Sequence, residues 1–258
     1  MVCEGRYTYY SGYQPRCWIY TSNGSFNGYY RMHGPITVSE AIQDSCNCFY
    51  YELGRRLGIE RMNNYSKVFG LGLSTGIEIG ESTGILAGNA FRDENGYSPW
   101  EPGDTIVAAI GQSDNSFTPI QMATMISTIS NGGTRYSTHL LKYVKEFGAD
   151  EPFIQKEPEA VSAFPLDADD RDVILDAMRK VVLTHSFIDN QMKKVSVKVG
   201  GKTGTAQVSS GIENGLFAGV APYDDPEIVV VCVIEHASGG TYASMAAAET
   251  FKAYFDKK

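Results

Sequence analysis

Two short stretches of this 258-residue chain carry side chains that could act on one substrate together. In Gly200-Gly201-Lys202-Thr203-Gly204-Thr205-Ala206, an ammonium is followed by two hydroxyls with a glycine between them. Glycine lets a ligand come close to the backbone. An extended acyl peptide could pair along such a strand edge and set its terminal carboxylate against Lys202. A surface lysine beside a bulge is the plainer alternative. Gly-Lys-Thr also occurs in nucleotide phosphate loops, but those need a glycine six residues before the lysine and a helix after it. Ser196 stands at the first place and 205–208 continue as strand, so that reading fails. Upstream, Ser45-Cys46-Asn47 puts a hydroxyl and an amide two residues apart, at a break between two helices. Both could face one cleft, although Ser and Asn also cap helices routinely.

Cysteine use suggests a second kind of chemistry. Four of the five cysteines lie within the first 48 residues. Cys3, Cys17 and Cys46, with His33, offer three thiolates and an imidazole, enough for a closed tetrahedral zinc site. The intervals are longer than those of a zinc finger. A Cys3–Cys17 disulfide with Cys46 as buried filler uses the same residues differently, and the odd cysteine count does not choose between them. Cys48 and Cys232 read as core thiols, and His139, His185 and His236 have no partner pattern.

The elements that must carry these residues follow from periodicity and capping. Residues 3–34 have no period and read as an irregular, aromatic-anchored region. Thr37-Val38-Ser39-Glu40 is a capping box that predicts a helix to about Gln43. A second helix runs through Phe49, Tyr50, Leu53 and Leu57 to Gly58, and a third from Ile59 to Phe69. Residues 72–103 read as a long surface excursion. Thr118-Pro119 opens a helix over Ile120–Ile129 that presents Met122, Met125, Ile126 and Ile129 to the core. A strand is expected over His139–Val144. A helix is expected over Asp170–Val182, burying Val173, Ile174, Ala177, Met178, Val181 and Val182. Strands then follow over Val195–Val208, Leu216–Ala221 and Glu227–Glu235, and a helix over Tyr242–Phe255. The fold class is α+β: one domain over 1–258, with an antiparallel sheet covered by helices on both faces. Its parts are the irregular region 1–34, a helical part 35–135, and a sheet part 136–258 with the terminal helix.

Together, the Ser-x-Asn and Lys-Thr-Gly elements form a pair found in penicillin-binding proteins and serine β-lactamases. The chain closely resembles the C-terminal part of the transpeptidase domain of a class B penicillin-binding protein of the elongation type. Leu53-Gly54-Arg55-Arg56-Leu57-Gly58-Ile59, Phe69-Gly70-Leu71-Gly72, Thr75-Gly76-Ile77, Pro102-Gly103-Asp104-Thr105, Ala109-Ile110-Gly111-Gln112, Thr118-Pro119-Ile120-Gln121 and Phe217-Ala218-Gly219-Val220-Ala221-Pro222 extend the likeness along nearly the whole chain. A β-lactamase fits less well. Ser45 and Lys202 are too far apart in sequence, and the Glu60/Asn64 pair comes too soon after Ser45 to activate a deacylating water.

The resemblance implies the roles. Ser45 would relay a proton toward the leaving amine, and Asn47 would hydrogen-bond the amide of a D-Ala–D-Ala stem peptide. Lys202, with Thr203 and Thr205, would hold the terminal carboxylate beside Gly204. The Thr205 backbone N–H would supply half of an oxyanion hole. No cofactor is needed for catalysis. Some elongation-type members carry zinc beside the active site, and His33-Gly34 and Cys46 match that pattern, with Cys3 and Cys17 where others use carboxylates. β-Lactams and the cell-wall elongation machinery are the implied partners, at the extracytoplasmic face of a bacterial membrane.

One family element is missing. No serine in the 258 residues has lysine three positions on, so the Ser-x-x-Lys nucleophile is absent from this stretch. The expectation is an N-terminally truncated domain, inactive as given, whose anchor and nucleophile precede Met1. A non-catalytic stem-binding or scaffold homologue is the alternative. Composition agrees with a folded enzyme domain: 43% hydrophobic and 12% aromatic residues exclude a disordered chain. A net charge of −8 disfavours nucleic acid. No apolar run is long enough to span a bilayer, and no signal peptide is read at Met1.

Overall fold

The structure, a computed structural model, describes residues 1–20, 31–208, 211–237 and 239–258. Part of the irregular region expected over 3–34, namely 21–30, lies outside the described residues. Near the N-terminus, β1 (Val2–Cys3) pairs antiparallel with β2 (Gly34–Pro35). Six helices follow among the described residues: α1 (Val38–Gln43), α2 (Asn47–Leu57), α3 (Ile59–Val68), α4 (Asn89–Asn95), α5 (Pro102–Ala108) and α6 (Pro119–Ser130). Then come β3 (Thr134–Tyr136), β4 (Tyr143–Val144), β5 (Ile154–Gln155), β6 (Ala160–Ala163), α7 (Ala168–Thr184) and α8 (Ser186–Met192). The chain ends with β7 (Gly200–Ala206), β8 (Asn214–Ala221), β9 (Ile228–Ile234) and α9 (Thr241–Phe255).

The main sheet is antiparallel in the order β7-β8-β9, and both its faces are buried. Side chains alternate across a strand, and the packing follows that period. Phe217, Ala221 and Val230 pack with Ala243, Ala247, Ala248 and Phe251 of α9. Ala218, Val220, Val229 and Val231 pack instead with Ile126 of α6 and Leu175 and Met178 of α7. Two buried faces explain why residues 228–234 read as a continuous apolar run. A methyl group at Gly201 would lie 2.2 Å from the Phe217 ring, so this position has room only for glycine.

Several expectations need correction. Residues 72–103 are not a free excursion. Gln121 is fully buried and its amide donates to the Leu73 carbonyl at 2.8 Å and the Thr83 carbonyl at 2.7 Å. Arg92 of α4 then binds Asp104 at 2.8 Å and Asp114 at 2.7 Å. In consequence the buried residues of α6 are Gln121, Thr124, Ile126, Thr128 and Ser130, while Met122, Met125 and Ile129 are half-buried. Val173 is exposed on α7. Of the strand expected over 139–144 only Tyr143–Val144 forms, paired with Ile154–Gln155. Of that expected over 195–208, only Gly200–Ala206 forms. No helix among the described residues is long and apolar enough to cross a membrane.

Candidate active site and cysteine cluster

Ser45 owes its place to the way α1 ends. Thr37 and Glu40 form the expected capping box at its start. At its end the Cys46 N–H donates to the Ala41 carbonyl at 3.0 Å and the Ser45 N–H to the Ile42 carbonyl at 3.4 Å. These are the two bonds of a Schellman motif, whose turn residue adopts left-handed backbone and is usually glycine. Here it is Ser45, with φ 53°. For an L-residue this conformation costs about 1 kcal/mol. Strain of this kind is characteristic of functional positions, and at this turn it directs the Ser45 side chain at the sheet.

Lys202 comes from the opposite direction. β7 has β8 on one side only, so among the described residues its other edge is open. From this strand the Lys202 ammonium donates to Ser45 Oγ at 2.6 Å and to its neighbour's carbonyl, Thr203 O, at 2.9 Å. The two groups face each other although 157 positions separate them. Burial pushes the Lys202 ammonium down to about 8, into the range where a lysine exchanges protons near neutral pH. The Thr203 and Thr205 hydroxyls have no hydrogen bond among the described residues, and Thr205 is exposed. Gly204 is half-buried, closely covered by Gly240, where a methyl group would sit 2.5 Å from the Gly204 carbonyl oxygen. Asn47, half-buried, is the first residue of α2 and lies within reach of the Tyr51 phenol.

Beside Ser45 the structure gathers the second set. The donor atoms of Cys3, Cys17, His33 and Cys46 all lie within 4.8 Å of one another. The sulfurs of Cys3 and Cys17 are each 3.6 Å from His33 Nδ1. Zinc bond lengths in a tetrahedron give a sulfur-to-nitrogen edge of about 3.6 Å, so the residues fit the ion. All five cysteines are free thiols, and the Cys3–Cys17 disulfide is not formed. Hydrogen bonds from Cys46 and then Cys48 hold Cys17 well below the ordinary thiol range, while Cys46 and Cys48 are pushed up, chiefly by Cys17. The thiols of the cluster are thus coupled to one another through short sulfur contacts.

Sequence reasoning missed three contributors. Cys48, read as a core thiol, is buried but also touches Cys17. Glu52 accepts from the Tyr7 phenol at 2.7 Å and from Arg55 at 2.8 Å, tying the N-terminal loop to α2. Arg55 chiefly, and then Tyr7, hold its carboxyl down to about 2. Trp18 donates its indole N–H to the Asp44 carbonyl at 2.8 Å. A helix end without glycine before Cys46 was the available signal that some other group must complete the turn.

An antiparallel sheet between helices, with a Lys-Thr-Gly edge strand closed on a Ser-x-Asn turn, is the class of domain that the fold and the site define together. The penicillin binding protein transpeptidase domain family matches residues 10–256, and the chain belongs to it, within the class B elongation-type group. It is 31% identical over 231 residues to peptidoglycan D,D-transpeptidase MrdA of Haemophilus influenzae, covering 81% of this chain and 34% of that protein. Stage V sporulation protein D of Bacillus subtilis is 36% identical over 218 residues, covering 80% and 31%. Among solved structures, PBP2 of Pseudomonas aeruginosa in complex with WCK 5153 matches with TM-score 0.78 and 27% identity, over 99% of this chain and 52% of that one. PBP2 of Helicobacter pylori, in its complex with MreC, shares the fold with TM-score 0.80 at 20% identity, over 100% and 45%. The chain thus spans about a third of the length of these curated relatives.

Proposed function

We propose that this chain is the stem-peptide-binding part of a peptidoglycan D,D-transpeptidase of cell-wall elongation. The contact between Lys202 and Ser45 at the open edge of β7 carries this reading. A D-Ala–D-Ala stem peptide pairs along β7 with its carboxylate against Lys202, Thr203 and Thr205, and Asn47 takes its amide. Donors aimed at the terminal carboxylate and the scissile carbonyl orient the peptide for attack. With its proton loosely held, Lys202 sets the field around Ser45, which passes a proton to the departing D-Ala amine as the acyl bond breaks. The attacking serine of the family motif is not among the 258 residues. On its own this polypeptide therefore binds the peptide without turning it over, and β-lactams do not acylate it.

Cys3, Cys17, His33 and Cys46 hold a structural zinc ion, which contributes no step of the reaction and keeps the N-terminal loop against the Ser45 turn. In the assembled enzyme the domain works at the extracytoplasmic face of a bacterial membrane with partners of the elongation machinery, a reading supported by the relative solved with MreC. No nucleic acid takes part.

Calorimetry with a diacylated Lys-D-Ala-D-Ala peptide is expected to show saturable binding that the L-Ala-L-Ala isomer lacks. Absence of that discrimination would remove the transpeptidase reading. A fluorescent penicillin should leave no label on the denatured chain, whereas retained label would disprove inactivity. A coding frame that continues upstream of Met1 into Ser-x-x-Lys supports an enzyme fragment, and a stop codon there supports the scaffold homologue.

A further inference from the structure

Trp18 leaves 59% of its surface in solvent, so burial contributes little to holding it in place. Its polar contact is specific instead. The Asp44 carbonyl that accepts its indole N–H at 2.8 Å belongs to the peptide unit whose N–H is that of Ser45. A peptide unit is a rigid plane, so gripping its oxygen fixes the direction from which the chain enters Ser45. Among the described residues the N–H end of that plane is held by the 3.4 Å bond to Ile42 alone, while the next plane is held by the 3.0 Å bond from Cys46 to Ala41. Between these two planes Ser45 keeps its left-handed φ of 53°, and from there its hydroxyl meets Lys202 at 2.6 Å. The last carbonyls of a helix need partners from outside it, and for Asp44 the partner is Trp18.

Trp18 is also the residue after Cys17, and its ring lies 6.1 Å from the His33 imidazole at 56°. It therefore touches both the cysteine cluster and the turn.

We propose that Trp18 is a positioning residue for Ser45: its indole N–H fixes the Asp44–Ser45 peptide plane and links the seating of the Cys3, Cys17, His33 and Cys46 cluster to the Ser45–Lys202 pair. The catalytic meaning of this link rests on the transpeptidase reading above. The link itself is a property of the chain and can be measured without substrate.

The experiment compares the whole chain with its Trp18→Phe variant, which keeps a ring and loses the donor. Both are isotope-labelled, and metal content, the Ser45 and Asn47 amide resonances and the Lys202 titration midpoint are recorded. The variant is expected to retain its metal and its melting temperature. Its Ser45 amide should move, and Lys202 should titrate higher, by about half a pH unit or more, as the loosened turn admits water. Unchanged Ser45 and Lys202 signals would overturn the proposal. Loss of metal or of the fold would overturn it as well, since the ring rather than its N–H would then hold the loop. A second reading needs no variant. Hydrogen exchange at the wild-type Trp18 indole should be at least about tenfold slower than in free tryptophan, and an equal rate would show that the bond is not made. Because no peptide enters the assay, a chain that fails to bind D-Ala–D-Ala ends the functional reading and leaves this result interpretable.

Discussion

At position 45 a serine occupies backbone that glycine would occupy more comfortably, and the hydroxyl accounts for the choice. Ser45→Ala and Ser45→Gly both remove the contact with Lys202, but only alanine keeps the strained Cβ. The glycine variant is therefore expected to be more stable than the alanine variant by about 1 kcal/mol, opposite to the usual order in a helix. Urea unfolding of the two variants checks this. Lys202 gives a second signature. Burial lowers its ammonium to about 8, while the unfolded chain keeps that proton to about pH 10.4. Between those values the unfolded state binds more protons, so this group makes stability rise with pH; below 8 both states are protonated and the penalty is complete. Tyr50, raised to about 12 by its burial, acts in the other direction once ordinary tyrosine begins to ionise near pH 10. Lys202→Met should flatten the slope measured between pH 7.5 and 9.5, and an unchanged slope would show that Lys202 is not its source.

β7 depends on a loop that covers its backbone. The φ of Gly240 is −71°, open to any residue, so its constraint is steric. A methyl there would stand 2.4 Å from the Leu216 carbonyl oxygen and 2.5 Å from that of Gly204. Gly240→Ala is expected to destabilise the fold by about 1–3 kcal/mol and to shift the amide resonances of 202–206 more than those of α2. At this scale, elements with a complete hydrophobic period or an explicit cap were legible in the sequence. The capping box at Thr37, the Thr118-Pro119 start, the strands expected over 216–221 and 227–235, which form as 214–221 and 228–234, and the terminal helix were all read from local chemistry. The seven-residue helices α4, α5 and α8 were not, although α5 carries a cap of its own, because so short a helix shows too little of its period. The polar buried face of α6 escaped for another reason: Gln121 is satisfied by carbonyls 48 and 38 positions away, which no local pattern contains.

The whole molecule brings two distant pieces of chain into contact. Residue types disclosed what could meet: a Lys-Thr-Gly strand, a Ser-x-Asn turn, and three cysteines with a histidine. They did not disclose what holds the meeting in register, because Trp18, Cys48 and Glu52 act through contacts made only after folding. The cysteine cluster lies in the same buried group as Ile36, Ala41, Tyr51 and Ile106, so it ties the N-terminal loop to α1, α2 and α5. Protein purified with metal is expected to contain about one equivalent of zinc, and a strong chelator should lower its melting temperature by several degrees. A content under about a tenth of an equivalent, or a melt indifferent to chelation, would favour reading the cluster as packed thiols.

The most direct test of the account follows the amide resonances of labelled protein as a diacylated Lys-D-Ala-D-Ala peptide is added. Saturable shifts are expected at Ser45, Asn47 and Lys202 to Thr205. They should vanish in Lys202→Met and weaken as pH rises through about 8, where the ammonium that meets the carboxylate loses its proton. Shifts confined to another surface, or the same shifts in the methionine variant, would contradict it.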